Sequence, residues 1–174
     1  MGACQRSAIF GVQQHAAGVH ADDRGELVEF FVDGIFEGFT PSQWNHLRSE
    51  ANTMRGFHCH AQHVDVVAVL SGELTLGLKD LRDDSPTTGR SETLTLTSSS
   101  DVILIPSGVG HGFYFSSPSL LVFGASRRWS PDDEFGCRWD DRDLDIDWGC
   151  TDPRLSIRDQ HAGTLADLRA ELNR

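Results

Sequence analysis

An all-β fold is predicted by three observations: apolar residues alternating with period two, apolar runs of strand length, and turn-forming clusters between them. In "GELTLGLKD" the residues Leu74, Leu76 and Leu78 fall on one face, and in "SETLTLTSSS" Leu94 and Leu96 do the same between threonines. Successive side chains of a strand point to opposite faces, so this alternation marks strands with one buried face. "DVILIPSG" and "SLLVFGAS" are short apolar runs suited to buried strands. "DDSPTTGR", "SSSD", "PSGVGHG" and "SSPS" read as turns. Several short strands at such spacing suggest a sandwich or a barrel.

Only the C-terminal "GTLADLRAELNR" reads as a helix. Leu165, Leu168 and Leu172 share a face, and Thr164 is placed to cap it. The chain shows no internal repeat and no linker-like segment. The acidic stretch "WDDRDLDIDWG" places Asp141, Asp143, Asp145 and Asp147 in alternation. A calcium loop of the EF-hand type needs Gly at its sixth position and Glu at its twelfth. Ile146 and Asp152 stand there, so the stretch is expected to be an exposed acidic strand face.

The 174 residues suit one domain with ample chain for a core. No apolar run reaches membrane-spanning length. The N-terminal "MGACQRSAIFGVQQH" lacks the basic-then-apolar order of a secretory signal, and Arg6 stands where myristoylation needs Ser or Thr. The expected location is cytoplasmic, without membrane attachment. Cys4, Cys59, Cys137 and Cys150 show no CxxC spacing, which favours four reduced thiols. A net charge of −11 argues against a nucleic-acid partner. An anionic small molecule remains possible if arginines such as Arg24, Arg55, Arg127 and Arg128 gather in one pocket.

"MRGFHCHAQHVDVVAVLSG" carries the first sign of chemistry. His58 and His60 are two apart, so on a strand both point the same way, and Cys59 points oppositely. "HCHAQHVD…G" followed by "PSGVGH" has the spacing of the two motifs of the cupin superfamily, small double-stranded β-helix barrels. The fold class this implies is a cupin double-stranded β-helix (jelly-roll barrel) with a short C-terminal helix. One domain would span 1–174, with its barrel core at about 24–148 and a C-terminal segment at 149–174. In metal-binding cupins the matching positions are ligands, here His58, His60, Asp65 and His111. Three imidazoles and a carboxylate suit Fe, Mn, Zn, Ni or Cu. Asp65 lies five residues from His60, so an unbroken strand would turn it away, and a bend at Ala61–His63 is required.

A longer resemblance covers about Asp22 to Leu168. "DDRGELVEFF", "QWN" ahead of "RGFH", "DLRDDSPTTG", "IPSGVGHGF", "WSPDDEFGCRWDDRDLDIDW" and "LSIRD" follow one another as in the dTDP-4-dehydrorhamnose 3,5-epimerase family, a branch of the cupins. The resemblance implies a nucleotide-linked 4-keto-6-deoxy sugar as substrate, no cofactor, and a homodimer with N-terminal strands crossing between subunits. It matches His58 to the catalytic base and Asp159 to the base's partner. Arg24, Glu29, Asn45 and Arg55 match nucleotide- and phosphate-contacting positions. His111 is expected in the substrate pocket, and Trp129 stands where an aromatic residue stacks near the nucleotide. A carboxylate on the far ring nitrogen of a His fixes its tautomer and supports the imidazolium that forms.

The chain departs from the family pattern where chemistry is done. The catalytic Tyr aligns with Phe123, which has no exchangeable proton, and the second Tyr aligns with Trp129. The enolate-stabilising Lys aligns with Asp65, whose charge opposes a developing oxyanion. The aromatic–Gln pair after the base aligns with Cys59–His60, and an inward Asp aligns with Leu76. Three functions follow. The leading one is a nucleotide-sugar epimerase or isomerase using His58 and Asp159, with water or Tyr114 as a substitute acid. The second is a metal-dependent cupin enzyme (oxygenase, isomerase or lyase) using His58, His60, Asp65 and His111. The third is a non-catalytic sugar-nucleotide-binding protein. The first two compete for His58, because a nitrogen bound to metal cannot accept the substrate's proton.

Overall fold

The computed structural model describes residues 7–98 and 101–173. Two five-stranded antiparallel sheets face one another. The first runs β1 (Gln13–Ala16), β9 (Asp101–Ile105), β6 (Asp65–Ser71), β11 (Ser119–Ala125) and β4 (Gln43–Ser49). The second runs β12 (Phe135–Gly136), β5 (Thr53–Cys59), β10 (Val109–Phe115), β7 (Glu73–Asp80) and β8 (Ser91–Thr97). A separate hairpin pairs β2 (Gly18–Asp22) with β3 (Gly25–Glu29). This is the expected jelly-roll class.

The period-two pattern sorts side chains into three apolar layers. Between the sheets, Leu74, Leu76, Leu78 and Leu96 meet Val67, Val69, Ile103, Ile105 and Leu121, with Leu94 packed at the margin. Leu76, where the resemblance places an inward Asp, is therefore apolar core. The alternate residues Val66, Ala68, Val102 and Leu104 cover the outside of the first sheet with Phe36 and Phe39. Outside the second sheet, Met54, Phe57, Cys59 and Tyr114 pack against Leu144, Trp148, Leu165 and Leu168. The helix α2 (Leu165–Leu172) closes that layer. Thr164 caps it reciprocally with Asp167, and Leu165 and Leu168 are its buried residues.

Three expectations are corrected. Sheet structure begins before residue 24, because β1 pairs with β9. The acidic stretch is not a strand: it holds a 3-10 turn over Arg142–Leu144, capped by Asp141 and ended by Asp145 at a φ of 53°. Its buried anchors Leu144 and Trp148 are four residues apart, a turn-like spacing that overrides the alternation of its aspartates. A one-turn helix α1 (Ile157–Gln160) also precedes α2, capped by Ser156. The turns expected at "DDSPTTGR" and "SSPS" separate β7 from β8 and β10 from β11, whereas Cys4, Ser99 and Ser100 lie outside the described residues. Cys59, Cys137 and Cys150 are free thiols. Among the described residues no helix is long and apolar enough to cross a membrane.

One irregularity positions the site. Regular pairing would place Arg55 and His58, three apart, on opposite faces of β5. The register of β5 against β10 shifts between His58↔His111 and Arg55↔Phe113. A bulge of this kind inserts a residue and re-aims the side chains beside it. Gly56 occupies it at a φ of 112°, and a Cβ there would lie 3.0 Å from the Gly112 Cα and the His111 carbonyl oxygen. Glycine accepts that conformation and that close approach, and both Arg55 and His58 face the interior.

Candidate active site

One end of the barrel opens into a cavity of about 420 Å³. β4 contributes Asn45, β5 contributes Arg55 and His58, and β10 contributes His111. Phe123 of β11 and Trp129, just beyond it, complete the wall. His60, His63 and Asp65 also line the cavity. The required bend lies where β5 ends at Cys59 and β6 begins at Asp65 on the opposite sheet. Asp65 then shares the inward parity of Val67 and Val69.

His58 forms the centre of one cluster. Its Nε2 lies 2.9 Å from Asp159 Oδ1, and Asp159 Oδ2 accepts the Ser156 hydroxyl at 2.8 Å. Burial opposes ionisation of Asp159, but the hydrogen bond and charge of His58, then Ser156, outweigh it and hold the carboxyl below its ordinary range. A carboxylate cannot donate, so His58 carries its proton on Nε2 and its Nδ1 is a free lone pair. Glu134 Oε1 lies 3.6 Å from that Nδ1 and accepts from Arg158 at 2.7 Å. The Trp129 indole N–H also donates to Glu134. Against the cost of burial, these donors from Trp129 and Arg158, with the charge of His58, keep Glu134 below its usual range. Glu134 and Arg158 were not singled out from the sequence. Their signal lay inside "WSPDDEFG" and "LSIRD", beside residues that were.

The second cluster surrounds Asp65. His60 Nε2 lies 3.5 Å from Asp65 Oδ2, and His63 Nε2 lies 3.6 Å from Asp65 Oδ1. The His60 and His63 rings stack with centroids 3.9 Å apart. His111 Nε2 is 3.8 Å from Asp65 Oδ2. Burial, aided by the charge of His60, pushes the His111 imidazole down to about 4. The convergent set thus differs from the one the motif spacing suggested. His63 belongs to it, while His58 is engaged by Asp159 in the other cluster. His63 had a visible signal, since it is the third histidine of "HCHAQHVD".

The remaining sequence candidates divide. Asn45, Arg55, His111 and Trp129 line the cavity as expected. Arg24 and Glu29 do not reach it within one chain: they lie on the β2–β3 hairpin, where Arg24 pairs with Asp22 and Glu29 with His20. Arg127 is exposed and bonds to Gln62, and neither it nor Arg128 lines the cavity. Tyr114 cannot serve as the acid from its position. It alternates outward from Phe113 and donates to Asn52 at 3.2 Å in the outer apolar layer.

Comparison with known proteins agrees with this architecture. The Bacillus subtilis spore coat polysaccharide biosynthesis protein SpsL is 29% identical over 147 residues, covering 80% of this chain and 96% of its own. The dTDP-4-dehydrorhamnose 3-epimerase of Streptomyces niveus is 32% identical over 175 residues, covering 92% of this chain and 83% of its own. Among solved structures, the dTDP-6-deoxy-D-glucose-3,5-epimerase of Legionella pneumophila, in complex with dTDP-4-keto-L-rhamnose, superposes with a TM-score of 0.89 at 28% identity. That superposition covers 97% of this chain and 95% of the other. The family model described as dTDP-4-dehydrorhamnose 3,5-epimerase matches residues 6–167, and the chain belongs to that epimerase family.

Proposed function

We propose that the protein is an epimerase or isomerase of a nucleotide-linked 4-keto-6-deoxy sugar, removing a proton from the carbon beside the ketone. The observation that carries this reading is the His58–Asp159 dyad, with its free Nδ1 at the cavity wall. The Nδ1 lone pair takes the carbon-bound proton, and the electron pair of the broken C–H bond moves to the carbonyl oxygen as an enolate. The imidazolium so formed lies between Asp159 and Glu134, whose charges stabilise it. Proton transfer of this kind calls for no redox or carrier cofactor, in keeping with the family. Related structures hold dTDP-linked sugars, as in the Legionella complex above and the Streptococcus suis enzyme with dTDP-D-xylose. Arg55 and Asn45 offer polar contacts to such a ligand, and Trp129 offers a stacking face.

The hairpin supports a homodimer in this reading. All but one of the residues of β3 are exposed, with Leu27 at 60%, and among the described residues Arg24 pairs with Asp22 and Glu29 with His20, both on the same hairpin. Insertion of the hairpin beside a second copy would bring these two residues to that copy's cavity.

The test is solvent exchange. Incubation with a dTDP-4-keto-6-deoxyhexose in D2O is expected to place deuterium at C3 or C5, with loss of exchange in His58→Asn. Tight nucleotide binding without exchange would instead mark a non-catalytic binding protein.

A further inference from the structure

His60, His63 and Asp65 are all buried, and one ligand atom from each lies within 4.8 Å of the others. Their outer nitrogens are already committed. His60 Nδ1 is 2.8 Å from the Asp133 carbonyl oxygen, and His63 Nδ1 is 2.8 Å from Asp133 Oδ2. Neither oxygen can donate, so both rings carry a proton on Nδ1 and present Nε2 as a lone pair. The same Asp133 carboxylate accepts the backbone N–H groups of Ala61 and Gln62, which locks the loop that carries both rings. His111 is arranged likewise, with Nδ1 3.4 Å from the Val109 carbonyl oxygen.

With all three rings neutral, three imidazole lone pairs and a carboxylate therefore converge with no donor among them. Their separations from Asp65 are 3.5, 3.6 and 3.8 Å, longer than an N–H···O hydrogen bond. Acceptors facing one another in a buried site repel unless a cation lies between them. Ligands at about 2.1 Å from a tetrahedral ion stand roughly 3.4 Å apart, close to the spacing present. The outer hydrogen bonds to Asp133 are the kind that orient metal-bound imidazoles. Protonating His63 would satisfy one contact and leave the lone pairs of His60 and His111 opposed to the carboxylate.

We propose that His60, His63 and Asp65 hold a divalent transition-metal ion at the cavity wall, with His111 as an adjacent fourth donor. Nitrogen and carboxylate ligands suit zinc, iron, cobalt or manganese. The ligand set leaves His58 free, so a metal and the His58–Asp159 base occupy the cavity together. Resting on the epimerase reading, the ion supplies the positive charge at the carbonyl oxygen that Asp65 alone would oppose. Arg55 is the only lysine or arginine lining the described cavity.

The test uses the full chain, tag-free and stripped with chelator, titrated with Co(II) and then with Zn(II). Visible absorption of bound cobalt and elemental analysis are the readouts, neither of which needs substrate. The expected result is near one equivalent of metal, with His63→Gln and Asp65→Asn each weakening cobalt binding by about 100-fold or more. His58→Asn should retain the cobalt spectrum within about threefold. Asp65→Asn, nearly isosteric, carries the test if His63→Gln fails to fold. Less than a tenth of an equivalent on folded wild-type protein would overturn the site. So would a cobalt spectrum indifferent to His63 and Asp65, or one lost with His58. Deuterium exchange by the unstripped protein, compared with unstripped His58→Asn, separately reads the His58 base, so failure of one proposal is distinguishable from failure of the other.

Discussion

His58 and Asp159, separated by 101 residues in the chain, meet at 2.9 Å between Nε2 and Oδ1. The contact joins a barrel strand to a one-turn helix outside the barrel. It decides which ring nitrogen is free to accept a proton, because the carboxylate takes the proton-bearing Nε2 and leaves Nδ1 toward the cavity. Ser156 both caps that helix through the Asp159 N–H and donates to the Asp159 carboxylate, so the helix start and the dyad share one hydroxyl.

If His58 is the base, removing its imidazole should abolish proton transfer. His58→Asn is expected to lower deuterium incorporation by on the order of 10²–10⁴-fold. Asp159→Asn should also slow it, by about 10²-fold or more, because an amide can donate to Nε2 and shift the ring proton onto Nδ1. Exchange rates in D2O check both variants. An Asp159→Asn enzyme with wild-type exchange would show that the dyad is structural.

Phe123 lines the cavity beside Asn45, its register partner on β4, at the position where the resemblance places the family's acid. Phe123→Tyr restores an exchangeable proton on that wall. The expected outcome is a rise of about 10-fold or more in inverted product relative to exchanged starting material, as general acids contribute. NMR of the product mixture measures this ratio. An unchanged ratio would locate the acid elsewhere in the cavity.

Stability should fall in acid through three carboxylates. Burial opposes ionisation of Asp80, but hydrogen bonds from Arg82, Ser85 and Thr87 outweigh it and hold the carboxyl far below the ordinary range. Asp159 and Glu134 are lowered as well. A folded-state value below the unfolded one contributes stability above about pH 4, lost as pH falls through the folded value. Thermal midpoints should therefore drop steadily below about pH 4. Asp80→Asn should flatten that dependence and cost about 1–3 kcal/mol at neutral pH, since it removes the charge to which Arg82, Ser85 and Thr87 all donate.

If the hairpin completes the partner's site, inactive variants should complement. Arg24→Ala and His58→Asn proteins, allowed to exchange subunits in equal amounts, are expected to recover about a quarter of wild-type activity, because half the dimers hold one intact site. No recovery despite measured subunit exchange would confine Arg24 to its own hairpin.

Much of this was legible from local pattern. Alternation in Leu74, Leu76 and Leu78 reports a half-buried strand, and Thr164 with the leucines after it reports a capped helix, because both depend on neighbours within a turn or a pleat. Alternating aspartates near Asp143 misled for the same reason: exposed residues carry a period without being held to it, and the buried Leu144 and Trp148 set the conformation instead.

By itself the sequence determined the β-rich class, the helix and the family, since each rests on short-range periodicity or ordered motifs. Tertiary structure alone decided that Arg55 and His58 face one way across the bulge at Gly56. It also decided that His63 rather than His58 joins His60 and Asp65, that Glu134 stands beside His58, and that Tyr114 points outward. The physical reason is that these side chains meet across loops and between opposite sheets. There, register and hydrogen bonds to Asp133 and Asp159 aim each ring, and sequence spacing does not encode that aim.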